Sequence, residues 1–469
     1  MRLVMKFGGT AVASADRVKH VAQLVQMHKP NCEIVTVISA VRGMTDGLLS
    51  IVDSVKRGDR ASIDEFVKES AKIHLDIAGG AIFDSKLKNA AIMTIEKIIS
   101  ELKDVLGGIV LLGEVTPKSL DYLISFGERL STPIISFALQ DIGIRSDYLG
   151  GKEAGILTDS NFGEARPLID TTKLRVSHKL EPLLKAGAVP VVAGFIGADQ
   201  YGNITTIGRG GSDYTATIIA ASLNADEVWL WSDVDGLMTA DPKIVKDAKV
   251  LQEVSFSEAM EMALFGAKYM HPRALEPVIE TKIPIRIRNT FNVNHTGTLI
   301  TQNPSKKSQK IVKSVSAIRH TALVDVSGGG MVGAPGTAAK IFDTLARNRV
   351  NIMMISQSPS ESSISMVLRK NDLDKATAVL ELNLLGRVIK QINVNDDVAV
   401  IAVVGSGMRG IKGVAAKVFG AVAKEEVNVI MIAQGSSELN LAFVVNDDDC
   451  ERAVRALHDE FELGRSGKG

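Results

Sequence analysis

A chain of 469 residues exceeds what one hydrophobic core organises, so two to four domains are expected. Lysine plus arginine and aspartate plus glutamate both number 54, which excludes the charge footprint of a nucleic-acid binder, and no apolar run reaches the length of a membrane span. Cys32 and Cys450 lie too far apart to suggest a disulfide framework or a metal cluster, and the opening MRLVMKFGG reads as a strand rather than a signal peptide, so a cytoplasmic protein is expected.

Leu3–Phe7 reads as the first strand, running into Gly8-Gly9-Thr10. A helical pattern covers Asp16–His28, and Glu33–Ile38 is a second strand ending at Ser39–Asp46. Strand, glycine turn, helix, strand begins a parallel α/β sheet, in which ligands sit beyond the carboxyl ends of strands. Lys6 stands at that end with glycines behind it, which favours a phosphate contact over a solvated lysine. Residues from about 50 to 118 read as a helical insertion without chemistry, and His74 there as an ordinary helix residue. Ser119–Leu139 reads as one long helix, interrupted by Gly127-Glu128-Arg129. A glycine inside a helix costs about 1 kcal/mol against alanine, so close approach of a ligand or of neighbouring backbone would account for it. Glu128 faces either solvent or a substrate ammonium.

Further strand signals fall at Ser146–Leu149, Val189–Phe195, Asp226–Trp231 and Ile283–Ile287, with a helix around Leu174–Ala186. The densest stretch is Gly194–Ala216. There a β-branched run ends in Gly208-Arg209-Gly210-Gly211-Ser212-Asp213, ahead of an alanine-rich helix at Tyr214–Leu223. Such glycines leave backbone N–H groups free for an anion, with Ser212 or Asp213 capping the helix. Arg209 adds a planar fork for carboxylate or phosphate, and Asp213 a carboxylate that can meet a metal ion. A tight turn with a capped helix is the plainer alternative. Ser232-Asp233-Val234-Asp235-Gly236 has two acids and a glycine of a calcium loop but lacks the third ligand and the distal glutamate. A strand-end turn facing a nucleotide or Mg²⁺ fits better. Ser257–Phe265 reads as a helix leading to Lys268, a second candidate cation for phosphates.

Thr301–Ser314 is polar and lysine-rich and reads as a linker. Beyond it the chain repeats with a register of 77 residues: Gly328, Gly330, Met331, Gly333, Gly336 and Lys340 recur as Gly405, Gly407, Met408, Gly410, Gly413 and Lys417. Each copy reads as strand, glycine loop, helix, strand, turn, strand and helix, a ferredoxin-like unit. Each contains GxGxxG, but the following strand ends in Gln357 or Gln434, where a ribose-binding acid would be needed. The unit is also too small for a dinucleotide fold, so the motif is a decoy.

Taken together, Lys6–Thr10, Ser125–Arg129, Gly194–Gly197, Gly208–Tyr214, Trp231–Pro242 and Lys268–Pro272 resemble the motifs of the aspartate kinases, members of the amino acid kinase family. The resemblance implies a three-layer αβα kinase domain over 1–300, a linker at 301–314, and ACT modules at 315–390 and 391–469. It implies a monofunctional enzyme, without a C-terminal homoserine dehydrogenase. Its product would be 4-phospho-L-aspartate, on the route to lysine, threonine and methionine. ATP and Mg²⁺ would be the cofactors. Lys6, Gly8, Gly9 and Lys268 would hold the phosphates, and Ser232 and Asp233 would line the nucleotide pocket. Met238 and Lys243 stand where an aromatic residue and an arginine often sit in that pocket. Ser39, Thr45, Glu128, Phe195, Arg209, Gly210 and Ser212 would surround aspartate, with Asp213 at the metal–phosphate end. Lys6, Asp213 and Lys268 would be catalytic. A feedback effector, threonine and/or lysine, would bind around Met331, Gly333, Ala334, Pro335 and Gln357, in a homodimer or homotetramer built through the ACT modules. There is no GxxxxGK[ST], so a P-loop kinase is excluded. The competing readings are a kinase for glutamate, acetylglutamate or a nucleoside monophosphate, and a non-catalytic amino-acid sensor.

Overall fold

The computed structural model describes residues 1–266, 270–305 and 310–465. It divides into two compact units. The first comprises Met1–Leu237, Gln252–Phe256 and Lys268–Pro304, and the second Met238–Leu251, Ser257–Ala267 and Ser305–Gly469.

In chain order the first unit begins β1 (Arg2–Phe7), α1 (Ala15–His28) and β2 (Glu33–Ile38). Next come the helices α2 (Met44–Arg57), α3 (Arg60–Ala81), α4 (Ser85–Leu112), α5 (Pro117–Ile124) and α6 (Phe126–Asp141). There follow β3 (Ser146–Leu149), α7 (Gly151–Ala154), α8 (Ile169–Lys185), β4 (Val189–Ala193), the hairpin β5 (Ile196–Ala198) and β6 (Ile204–Thr206), α9 (Gly211–Leu223), β7 (Glu227–Ser232) and β8 (Glu253–Ser255). After α10 (Phe256–Leu264), most of which belongs to the second unit, come α11 (Glu276–Thr281), β9 (Ile285–Asn289) and β10 (Thr298–Thr301).

Eight strands form one sheet in the order β3-β4-β2-β1-β7-β9-β10-β8. It is parallel from β3 to β9, and β10 runs antiparallel to β9. Strand alternation sends Leu3, Met5 and Phe7 into a core shared with α1, α2, α3, α4 and α6, while α9 covers β1, β2 and β7. The result is the expected three-layer αβα arrangement, and α2 to α4 account for the expected helical insertion.

Two expectations are corrected in this unit. The long helix at 119–139 is two helices, broken at Ser125, whose hydroxyl turns back to donate to Tyr122 O at 2.6 Å. Neither Ser212 nor Asp213 caps α9. Gly210 occupies the N-cap in the left-handed region, at φ 73°, and no side chain bonds to the helix start.

The second unit carries β11 (Ser314–Ser327), α12 (Thr337–Arg347), β12 (Ile352–Gln357), β13 (Ser363–Arg369), α13 (Leu373–Leu384), β14 (Gln391–Val404), α14 (Val414–Lys424), β15 (Met431–Ala433), β16 (Asn440–Asn446) and α15 (Cys450–Glu460). Its six strands make one sheet, β12-β13-β11-β14-β16-β15. The long strands β11 and β14 pair antiparallel from Ser314–Val404 to Ser327–Gln391, whose ends are equivalents under the 77-residue repeat. Each strand therefore serves both halves: Val315 packs in one core with Phe443 and Leu457, and Val324 and Val326 in the other with Ile341 and Leu380. The boundaries read at 314/315 and 390/391 fall at the starts of these shared strands. Of the stretch read as a linker, Val312 and Lys313 are buried, and 306–309 lie outside the described residues. The segment Met238–Leu251 and most of α10, read as kinase domain, belong to this second unit because Ala240 and Val245 join its core.

Candidate active site

At the carboxyl ends of β1, β2, β4 and β7, the first unit gathers most of the residues singled out in the sequence. Lys6 lies one position before the end of β1, on the face covered by α9, and its Nζ meets Asp213 Oδ1 at 2.6 Å. Both side chains keep a small exposed fraction, 15% and 12%, so the pair faces the rim. Behind it, Gly8 N–H reaches Trp231 O at 3.4 Å, and a Cβ on Gly8 would lie 3.7 Å from Lys6 Nζ. Gly9 packs so closely on the β2 exit that a Cβ there would stand 2.5 Å from Ala40 O.

Glu128, in the first turn of α6, is 3% exposed. Ala40 N–H donates to its Oε1 at 3.2 Å, whereas Oε2 is buried with no partner among the described residues. Burial pushes its carboxyl up to about 8, against the opposing pull of the Ala40 N–H and the Lys6 charge. A buried acceptor left open, with a cation in range, suits a ligand donor. Gly127 gives α6 its close seat: a Cβ there would lie 2.7 Å from Ala40 Cβ and 3.7 Å from Thr45 Oγ1. The approach is thus to neighbouring chain, one of the two reasons expected for that glycine. Ser39 is held by its backbone, its N–H donating to Phe7 O and its carbonyl accepting from Ser131 Oγ at 2.8 Å.

The Gly194–Asp213 stretch folds as the hairpin β5–β6 and the loop into α9. Phe195 adopts φ 67°, and its N–H donates to Thr215 Oγ1 at 3.0 Å. Ser212 lies against Gly194, where a Cβ would come within 2.8 Å of the Ser212 Oγ. Arg209 is exposed at the loop tip, and Gly210 lies so close to His271 that a Cβ would overlap its side chain. His271 had no role read from the sequence. Burial, then Arg273 and Arg209, hold its imidazole below the ordinary range. The carboxylate of Asp235 accepts from Asn289 at 2.8 Å and Asn292 at 3.1 Å beside the Ser232-Asp233 turn. These partners come from β9 and the loop after it, so their spacing gave no signal.

Met238 and Lys243 fall in the second unit, and Lys268 lies outside the described residues. In the second unit, Met331 is buried and Gly333 N–H donates to the Glu361 carboxylate at 3.0 Å. Gly410 and Glu438 repeat that bond in the other half. Pro335 and Gln357, the last residue of β12, are exposed, and Ala334 is half-buried. Among the described residues no group of three or more His, Cys, Asp or Glu converges as a metal site. A lone carboxylate such as Asp213 still suits Mg²⁺, which is commonly held by one or two carboxylates plus substrate phosphates.

The fold is a three-layer α/β domain followed by paired ferredoxin-like modules. The model of the amino acid kinase family matches residues 1–289, and an ACT domain model matches 324–384 and 401–461. The chain belongs to the amino acid kinase family and, within it, to the aspartokinases. It is 33% identical to aspartokinase 1 of Arabidopsis thaliana, over 98% of this chain and 80% of that one. It is 34% identical to the bifunctional aspartokinase/homoserine dehydrogenase 1 of Zea mays, and spans about half the length of such bifunctional relatives. Its structure resembles E. coli aspartokinase III in complex with aspartate and ADP, with a TM-score of 0.84, 29% identity and coverage of 98% and 99% of the two chains. The same enzyme in complex with lysine and aspartate gives 0.80 at 30% identity, with the same coverage. No described helix is long and apolar enough to cross a membrane.

Proposed function

We propose that the chain is an aspartate kinase that transfers the γ-phosphoryl group of ATP to the β-carboxylate of L-aspartate, giving 4-phospho-L-aspartate. One observation carries this reading: a lysine–aspartate pair at the sheet rim lies close enough to a buried glutamate with an open oxygen for the lysine charge to act on that carboxyl. The related structure that holds aspartate and ADP supports it.

A carboxylate nucleophile is already ionised at neutral pH, so no general base is required. The work left is to bring two mutually repelling anions together and to neutralise the transferring charge. Lys6 supplies a cation where β1 ends, and the Gly8 and Gly9 backbone lets phosphates approach; Lys268 would add a second cation. Glu128 receives the substrate ammonium and Arg209 the α-carboxylate, leaving the β-carboxylate to react. Ser39, Thr45, Phe195, Gly210 and Ser212 shape that pocket. Asp213 would hold Mg²⁺, which when bound offsets phosphate charge. Ser232 and Asp233 are assigned to the nucleotide.

The ACT modules would bind a feedback amino acid at the Met331–Pro335 loop and Gln357, pairing copies into a homodimer or homotetramer in the cytoplasm. Lysine leads threonine because a related structure is a lysine complex. Lys6→Ala is expected to cut aspartate-dependent ATP consumption by about a hundredfold or more while circular dichroism shows a folded chain. Wild-type turnover in that variant would sink the assignment. The same assay titrated with lysine and threonine decides the effector.

A further inference from the structure

The acceptor side of the pocket is held by a carboxylate that the proposed chemistry does not use. Asp121 is completely buried on α5, the short helix that leads into Glu128 on α6. Its Oδ2 accepts from the backbone N–H of Thr206 at 2.7 Å and of Gly163 at 3.0 Å, and its Oδ1 accepts from the Thr206 hydroxyl at 2.8 Å. Three donors thus converge on one side chain, from two segments distant in sequence.

Those segments border the acceptor loop. Thr206 ends β6, and Ile207 N–H then bonds to Phe195 O at 3.0 Å. Gly208 and Arg209 follow directly. Gly163 lies in the 159–166 loop, which bonds back to β6 through Ala165 N–H and Thr206 O at 2.9 Å. A Cβ on Gly208 would lie within 4 Å of Glu164 and of Gly163 O, so this loop is the floor on which the Gly208–Arg209 turn rests. The Lys6–Asp213 pair rests instead on β1 and α9. No proposed substrate contact passes through Asp121 itself.

We propose that Asp121 is a positioning residue for the acceptor amino acid: it fixes the Arg209 turn relative to α6 and Glu128, and so sets acceptor affinity without touching substrate. Burial raises its carboxyl above the ordinary aspartate range, and the three donors oppose that rise. Asp121→Asn replaces a carboxylate acceptor by a neutral amide, which weakens the bonds to the two backbone N–H groups with little change in volume.

The inference rests on the aspartate kinase reading, and the test separates the two. Steady-state kinetics on the full-length chain would compare wild type, Asp121→Asn, Thr206→Val and Thr206→Ser. Asp121→Asn and Thr206→Val should raise KM for aspartate about tenfold and leave KM for ATP within about twofold, and Thr206→Ser should restore the wild-type value. A loss confined to kcat and thermal midpoint, with both KM values unchanged, would show a merely structural role and overturn the proposal. Should Asp121→Asn fail to fold, Thr206→Val decides alone: it keeps the backbone bonds and removes only the hydroxyl. If wild type prefers another carboxylate acceptor, the functional reading falls, and the KM split measured on that acceptor still judges Asp121.

Discussion

At Glu128, burial has a thermodynamic consequence that reaches binding. Its carboxyl titrates near 8 in the folded chain and in the ordinary glutamate range when unfolded. The folded state therefore holds the extra proton between those values, and stability falls as pH rises through that window, levelling off above about 8. Glu128→Gln removes this loss, so the variant should gain stability over wild type at pH 8, on the order of a few kcal/mol, and show a flatter pH profile in denaturant unfolding. A substrate ammonium demands the ionised form, so aspartate binding at pH 7 should release a proton. Calorimetry in buffers of different ionisation enthalpy would read that release, which should vanish in Glu128→Gln.

Between elements, the seat of α6 against the β2 exit sets where Glu128 stands. Gly127 meets Ala40 so closely that a methyl group would require one of them to shift. Gly127→Ala should destabilise the chain by about 1–3 kcal/mol, despite alanine's better helix propensity, and raise KM for aspartate; thermal unfolding and kinetics would check both. A stabilised variant would show that α6 has room to move. The break at Ser125 belongs to the same level. The helical pattern runs from α5 into α6 with Gly127-Glu128-Arg129 interrupting it, so the sequence reads as one helix, whereas in the fold the two part at Ser125, whose hydroxyl donates to Tyr122 O.

In the second unit, α10 is fastened by a buried ion pair. Glu258 and Lys313 are 0% and 2% exposed and meet at 2.8 Å, while Ser406 donates to Glu258 through both its N–H and its hydroxyl. Removing one partner of such a pair leaves a buried charge. Lys313→Met should cost about 3–5 kcal/mol in denaturant unfolding of the full chain, and Lys313→Met with Glu258→Met together should cost less than Lys313→Met alone. If the single variant were neutral, the pair would carry no such weight. A lysine in a polar run reads as linker, since only the partners brought by folding make its burial tolerable.

Local pattern by itself determined the parallel strands with glycine exits, the helical insertion, the duplicated C-terminal unit and the Lys6, Glu128 and Gly208–Asp213 motifs, because turn chemistry and hydrophobic period act over a few residues. Tertiary structure alone decided that Lys6 pairs with Asp213, that Glu128 is buried with an open oxygen, and that Asp121 ties α5 to Gly163 and Thr206. It also decided that β11 and β14 share one sheet and that Met238–Leu251 joins the second unit. Each of these depends on residues far apart in the chain, whose meeting and desolvation no short window of sequence encodes.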